Sequence, residues 1–231
     1  MAVLNPSVRL VRSKNLPNPN RYVEMMRGEF SDWVTPEDLA PTRKGRWRQD
    51  LGLTHESPVD LEIGTGNGYF FAHYGKSNPD RYLLGMELKF KPLIQSMKRS
   101  LAAGNKNTRM VRYHAGILPE IFESGELNRV LIYFPDPWPK KRHHKNRLIS
   151  TAFLETVHRL QRPGSYLEIK TDHAGYFDWI EAAVKNSPYR VSRNTRDLHS
   201  SAWAADNYVT HFEKLWTSQG LPTHLIRLEC E

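Results

Sequence analysis

From residue 58 onward, apolar positions follow two alternating rhythms. Short apolar runs bounded by turn residues fit buried strands, and apolar residues three and four positions apart fit one face of a helix. Val59-Asp60-Leu61-Glu62-Ile63 is the first run, and it passes directly into Gly64-Thr65-Gly66-Asn67-Gly68. A helix begins at Tyr69 and ends near Asn78-Pro79, and a second strand over 81–86 has Glu87 at its end. Phe90, Leu93, Ile94, Met97 and Leu101 share one helical face, closed by Gly104. The pattern then predicts strands at 108–113, 130–134, 166–170, 189–193 and 224–228, and helices at 149–160, 174–184 and 210–219. Strand, glycine turn and helix open a Rossmann-type unit. The alternation predicts an α/β fold with a mostly parallel sheet of about seven strands and helices on both faces. In such a sheet, the loops at 64–68, 87, 114–116, 134–140 and 170–173 share the edge where ligands bind.

Residues 1–57 show no sustained period. Prolines at 6, 17, 19, 36 and 41 and asparagines at 15, 18 and 20 interrupt them. The expected organisation is a basic N-terminal arm over 1–57, partly disordered, and one domain over 58–231. Arg43, Lys44, Arg46 and Arg48 surround Trp47. That cluster fits either a nucleic-acid grip with a stacking indole or an arm whose Trp47 packs on the domain.

The formal charge is +8, with 33 Lys and Arg against 25 Asp and Glu. This favours an anionic partner, nucleic acid above all. No apolar run approaches the roughly 20 residues of a membrane span. Met1-Ala2-Val3-Leu4-Asn5-Pro6 lacks the apolar core of a signal peptide, so a soluble cytoplasmic protein is expected. Cys230 is the single cysteine, and no Cys/His set has metal-site spacing, so neither an internal disulfide nor a bound metal is expected. Monomer and homodimer both stay open.

The chemistry-bearing stretch is Phe134-Pro135-Asp136-Pro137-Trp138-Pro139-Lys140-Lys141-Arg142-His143-His144-Lys145. Prolines stiffen the turn around Asp136. Cations follow at once, which suggests a reaction site beside a polyanion clamp. In the first loop, Glu62-x-Gly64-x-Gly66-x-Gly68 departs from the dinucleotide fingerprint, which needs glycine where Tyr69 stands. Glu87 is placed to accept from a ribose diol. The pair looks like the S-adenosyl-L-methionine site of class I methyltransferases.

The twelve residues 134–145 closely resemble the signature of bacterial tRNA (guanine-N7-)-methyltransferases. Ile169-Lys170-Thr171-Asp172 and Thr210-His211-Phe212-Glu213 match two further motifs of that family in order, and the likeness covers roughly 58–229. The resemblance implies a Rossmann-like class I fold and methylation of a guanine in the tRNA variable loop. It implies Glu62 near the methionine end of the cofactor, Gly64, Gly66 and Gly68 in the cofactor loop, and Glu87 on the ribose. Asp136 would be the catalytic-site residue, also close to the cofactor. Lys140, Asp172, Thr210, His211, Phe212 and Glu213 would contact guanine, and Arg142, His143, His144, Lys145, Asn146 and Arg147 would contact tRNA. Two positions depart from the family. His114, followed by Ala115, stands where an acid or amide is usual near the adenine, and Phe212 replaces a common tyrosine.

Guanine N7 carries a lone pair and needs no general base. The work is alignment, together with stabilisation of positive character on the base by a nearby carboxylate. Asp136 and Asp172 both suit that role or the orienting of guanine N1–H and N2–H. The structural alternatives are an Asp172 that caps the following helix, a Thr210-x-x-Glu213 capping box, and a Trp138 that packs on the sheet edge. A non-catalytic RNA-binding module and a small-molecule methyltransferase are the competing functions.

Overall fold

The structure is a computed structural model that describes Leu10, residues 12–16 and residues 19–231, except the side chains of Asn15 and His211. Met1 to Pro6, Pro17 and Asn18 of the expected arm lie outside the described residues. Contacts gather the chain into two compact units, one running through Asn128 and one from Arg129 to Glu231.

The first unit contains α1 (Arg21–Arg27), β1 (Val34–Thr35), α2 (Trp47–Asp50), β2 (Val59–Ile63), α3 (Tyr69–Ser77), β3 (Tyr82–Met86), α4 (Phe90–Ala102) and β4 (Thr108–Val111). Its strands run in the order β1-β4-β3-β2, all parallel. Every residue of β2 and β3 is buried, which is what apolar runs without alternation produce in a covered parallel sheet. Ile63 lies opposite Met86, and Met86 opposite Val111, so three strands end level. Leu93, Ile94 and Met97 bury the apolar face of α4.

The segment ahead of residue 58 contributes core to this unit. Val23, Met26, Phe30, Val34 and Trp47 are all buried. Trp47 donates its indole N–H to the Ile121 carbonyl (2.7 Å), and its ring lies 5.6 Å from that of Phe122. Glu126 accepts from the backbone N–H groups of Gly45 (3.0 Å) and Trp47 (3.1 Å). Of the two readings of this cluster, packing is the one the structure shows. Arg43 and Arg46 each pair with Asp50 at 3.2 Å, and Arg48 is buried against the Ser57 carbonyl.

The second unit contains β5 (Val130–Tyr133), a 3-10 turn (Lys141–Asn146), α5 (Thr151–Leu160), β6 (Ser165–Thr171), α6 (Ala174–Val184), β7 (Arg190–Thr195), α7 (His211–Thr217) and β8 (His224–Cys230). Strands β5 and β6 are parallel, while β8 runs antiparallel to both β6 and β7. All seven predicted strands are present. The eighth described strand, β1, has two residues, too few for any period to reveal.

Trp47→Ala should destabilise the protein by about 3–5 kcal/mol, the range for truncating a fully buried large aromatic. Urea unfolding checks this; a loss of a few tenths would mean that the segment is not part of the first unit's core.

Candidate active-site elements

Strand β2 turns two acids to the same face, Asp60 and Glu62. Asp60 is satisfied: Tyr74 donates its hydroxyl at 2.7 Å, and Arg81 donates through Nε and Nη2 at 2.6 Å each. Glu62 is only 4% exposed, and its Oε2 has no hydrogen-bond partner among the described residues. Burial, and secondarily the charge of Glu87, push its carboxyl up to about 8. A buried acid without a counter-charge is costly, and a cationic ligand group would complete it.

Gly64, Gly66 and Gly68 follow with φ of +80°, +53° and +77°. A Cβ on Gly68 would meet the Ser96 Cα at 2.4 Å, whereas one on Gly64 or Gly66 would enter open space. The third glycine therefore serves packing against α4, and the first two border a space. Ser96 donates to the Gly66 carbonyl at 3.0 Å, and Arg99 donates to the Asn67 carbonyl. Glu87 accepts from the N–H groups of Leu88 (2.8 Å) and Lys89 (2.9 Å) through one oxygen, and from Gly66 N–H (3.3 Å) through the other. The acid after β3 is thus tied to the glycine loop after β2. His114 accepts from Gly116 N–H through Nδ1 at 3.0 Å, at the head of a 3-10 turn that begins with Ala115. Burial holds the His114 imidazole below its usual pKa.

In the second unit, the turn after β5 is strained. Phe134 has φ +54° and Trp138 φ +42°, a region that bulky L-residues rarely enter. Between them Asp136 is exposed, and its carboxylate has no hydrogen bond among the described residues. The turn is braced from behind by Arg147, which is 8% exposed. Its Nε donates to the Pro137 carbonyl at 2.9 Å, and its guanidinium lies 5.1 Å from the ring centres of both Tyr176 and Trp179. Trp179 donates to the Ile149 carbonyl (2.6 Å), and the Tyr176 hydroxyl accepts from Ile149 N–H (3.2 Å), so the brace is itself fixed. The resemblance places Arg147 on tRNA; the structure places it inside. Lys140, Lys141, Arg142, Lys145 and Asn146 are exposed, and these four cations have no acidic partner among the described residues. His143 and His144 are half-buried, edge-on to Trp138 (5.8 Å) and Trp179 (5.6 Å).

Asp172 follows β6 and is half-buried. It does not cap α6; His173 does, its Nδ1 accepting from Tyr176 N–H at 3.1 Å. The Asp172 carboxylate is left without a hydrogen bond among the described residues. The Thr210–Glu213 capping box is fully formed, with Thr210 Oγ1 accepting from Glu213 N–H (3.1 Å) and Glu213 Oε2 from Thr210 N–H (3.2 Å). Glu213 has no exposed surface and also meets Lys170 (3.5 Å), His199 (3.1 Å) and Asn207. Lys170 donates to Asn207 as well and to the Tyr208 carbonyl (3.2 Å), and burial lowers its pKa. Sequence reasoning singled out Glu213 through the capping box but not its partners His199 and Asn207; Lys170 appeared only inside the Ile169–Asp172 motif. Phe212 is half exposed, its ring centre 6.4 Å from that of Phe134. The His211 side chain lies outside the described residues. Among those residues no group of His, Cys, Asp and Glu could hold a metal, and no helix is long and apolar enough to cross a membrane.

Residues 56–226 match the methyltransferase family model Methyltransf_4. A tRNA (guanine-N(7)-)-methyltransferase of Bdellovibrio bacteriovorus is 42% identical over 205 residues, covering 88% of this chain and 98% of that one. The chain belongs to the tRNA (guanine-N(7)-)-methyltransferase family. Family members from Listeria monocytogenes and Geobacillus kaustophilus are 34% and 31% identical, covering 85% and 83% of this chain and 87% and 86% of theirs. Solved methyltransferases share the fold. The antibiotic-resistance methyltransferase Kmr superposes with a TM-score of 0.55 at 20% identity, over 79% of this chain and 92% of its own. A SAM-dependent methyltransferase from Aquifex aeolicus does so with 0.53 at 13% identity, over 79% and 87%. The family fold is therefore the Rossmann-like one of class I methyltransferases.

Glu62 gives a pH signature. Its folded-state pKa of about 8 lies above the ordinary value of 4.5, so the folded state holds the extra proton between them. Stability then falls as pH rises through that window, by up to about 1.4 kcal/mol per pH unit. Unfolding of the protein without cofactor should show this loss between pH 5 and 8, and Glu62→Gln should remove it. Parallel curves for the two proteins would exclude a raised Glu62.

Proposed function

We propose that the chain is an S-adenosyl-L-methionine-dependent tRNA (guanine-N7-)-methyltransferase that modifies a guanine of the variable loop. The carrying observation is the turn at 134–138: an exposed carboxylate on strained backbone, unpaired among the described residues, leading directly into four cations without acidic partners among those residues. Family membership names the chemistry, and this turn suits it.

The residues of the first unit fit the cofactor. The unpartnered Glu62 oxygen would accept from the methionine ammonium, the space beside Gly64 and Gly66 would admit the ligand to the backbone, and Glu87 would accept from the ribose hydroxyls. His114 and Ala115 would border the adenine through their backbone, because the His114 ring already serves Gly116. When bound, S-adenosyl-L-methionine supplies an electrophilic methyl group on a sulfonium.

On the substrate side, no proton has to be removed from N7. Asp136 would stabilise the positive character that the base acquires, in a site where a fixed charge costs no reorganisation. Asp172, free of any capping duty, would accept from guanine N1–H and N2–H, and Lys140 would donate to O6. Phe212, half exposed, would stack on the base. Thr210 and Glu213 would hold that ring in place through the capping box rather than touch the base. Lys141, Arg142, Lys145 and Asn146 would meet phosphates, with His143 and His144 supporting them. Arg147 would position Asp136 by holding the Pro137 carbonyl.

Incubation with labelled cofactor and unmodified tRNA, followed by nucleoside mapping, should give N7-methylguanosine; label in another nucleoside, or none, overturns the proposal. Asp136→Ala should lower kcat by about 10²–10³-fold while tRNA affinity changes little. An equal loss of both would mean a structural role.

Arg147→Ala should also lower kcat while leaving the salt dependence of tRNA binding unchanged. A slope smaller by about one would make Arg147 a phosphate contact instead.

A further inference from the structure

The first unit carries a concavity that the proposed chemistry does not use. A cavity of about 810 Å³ opens where α1 meets the start of α4. Arg21, Tyr22, Lys89, Phe90, Lys91 and Arg112 are among its walls, and no Asp or Glu lines it among the described residues. One of its four cations is structural. Arg112 is buried, pairs with Glu37 at 2.9 Å, donates to the Leu88 carbonyl at 3.0 Å and lies 4.0 Å over the Phe90 ring. It builds a fixed wall and brings no free charge.

The other three are different. Arg21, Lys89 and Lys91 are exposed and have no acidic partner among the described residues. Arg21 donates to the Tyr22 hydroxyl at 2.8 Å and stacks over its ring at 4.8 Å, which holds the guanidinium at the cavity wall. The Tyr22 phenol is held below its usual pKa, first by that hydrogen bond and then by the charges of Arg21, Lys91 and Lys98, a sign of concentrated positive potential. Lys98 lies two helical turns beyond Lys91 on the same side of α4 and so extends the stripe. Like charges on a concave, rigid surface repel one another, and phosphate groups relieve that repulsion.

We propose that this cavity is a second phosphate-binding surface for the RNA substrate, with Arg21, Lys89 and Lys91 as its contacts. The inference rests on the tRNA reading above and adds to the cations at 140–145. These contacts would supply affinity and orientation without reading sequence.

The test is tRNA binding by the full chain across a salt series, comparing wild type with Lys89→Gln/Lys91→Gln. The double variant should bind about tenfold more weakly near 0.1 M salt. The slope of log K against log salt should fall by about 1.5–2, the loss of two phosphate contacts. Cofactor affinity by calorimetry and the unfolding midpoint should stay at wild-type values. Lys76→Gln/Lys185→Gln, which removes two exposed charges elsewhere, serves as control. An unchanged slope in the first variant, or an equal fall in the control, overturns the inference. If wild type methylates tRNA and the first variant binds it normally, this inference alone fails. If wild type neither binds nor methylates tRNA, the proposed function fails and takes the inference with it.

Discussion

The level ending of β2, β3 and β4 is the constraint on which the first unit's chemistry depends. Gly64 N–H donates to the Met86 carbonyl at 2.8 Å and Glu87 N–H to the Val111 carbonyl at 3.2 Å, so each loop leaves its strand against the end of the next. This register lets Glu87 reach Gly66. It is also pinned from within, because Asp60 takes Tyr74 and Arg81 on the same face from which Glu62 projects. A slip of one residue would carry both acids to the opposite face and break the Asp60 pair. The wall of the cationic cavity depends on the same ends: Arg112, the residue after β4, donates its N–H to the Thr35 carbonyl at 3.0 Å and its side chain to Leu88.

Several described acids serve the fold and others are left with capacity to spare. Asp60, Glu126, Glu168 and Glu213 are buried and paired or hydrogen-bonded, and they serve the fold. Glu62 is buried with an oxygen unpaired, and Asp136 and Asp172 have no hydrogen bond among the described residues. A net stability of about 5–15 kcal/mol leaves little room for an uncompensated buried carboxyl or for bulky residues at positive φ. These features persist only because the surroundings over-determine them: the parallel register around Glu62, and the Arg147 brace behind the turn at 134–138.

From residue 58 onward, the strands, the helices and the loops at their ends were legible because period and turn chemistry are local properties; α1, β1 and α2, ahead of it, were not. The Val59–Ile63 run, the glycines after it and the proline-bounded Asp136 each carry their signal within a few residues. What was not legible depends on partners distant in the chain. Trp47 amid four basic residues reads equally as a nucleic-acid grip or as an arm packed on the domain until Ile121 and Glu126 are seen to hold it. Arg147 belongs to the cationic run by sequence and to the interior by packing, because Tyr176 and Trp179 come from a helix about thirty residues on. Asp172 reads as a base contact or as a helix cap, and the neighbouring His173 takes the capping place. The cationic cavity has no motif at all, since Arg21 and Lys91 are joined only by the packing of α1 on α4.

The last motif shows why co-occurring residues need not share a role. In Thr210-His211-Phe212-Glu213, the outer two residues turn inward and close a capping box, and Glu213 is then fixed by Lys170, Asn207 and His199. That network joins the motif to the Ile169–Asp172 motif through Lys170, a residue with almost no exposed surface. Phe212 alone among the motif's described side chains faces solvent. A phenylalanine there has a ring face and no hydroxyl, so it can stack on a base but cannot select among bases by hydrogen bonding. Under the proposed function, discrimination of guanine then falls to groups with unspent acceptors and donors, which among the described side chains include Asp172, Asp136 and Lys140. The buried Lys170–Glu213 pair would act one step removed, by fixing where the Phe212 ring stands relative to them.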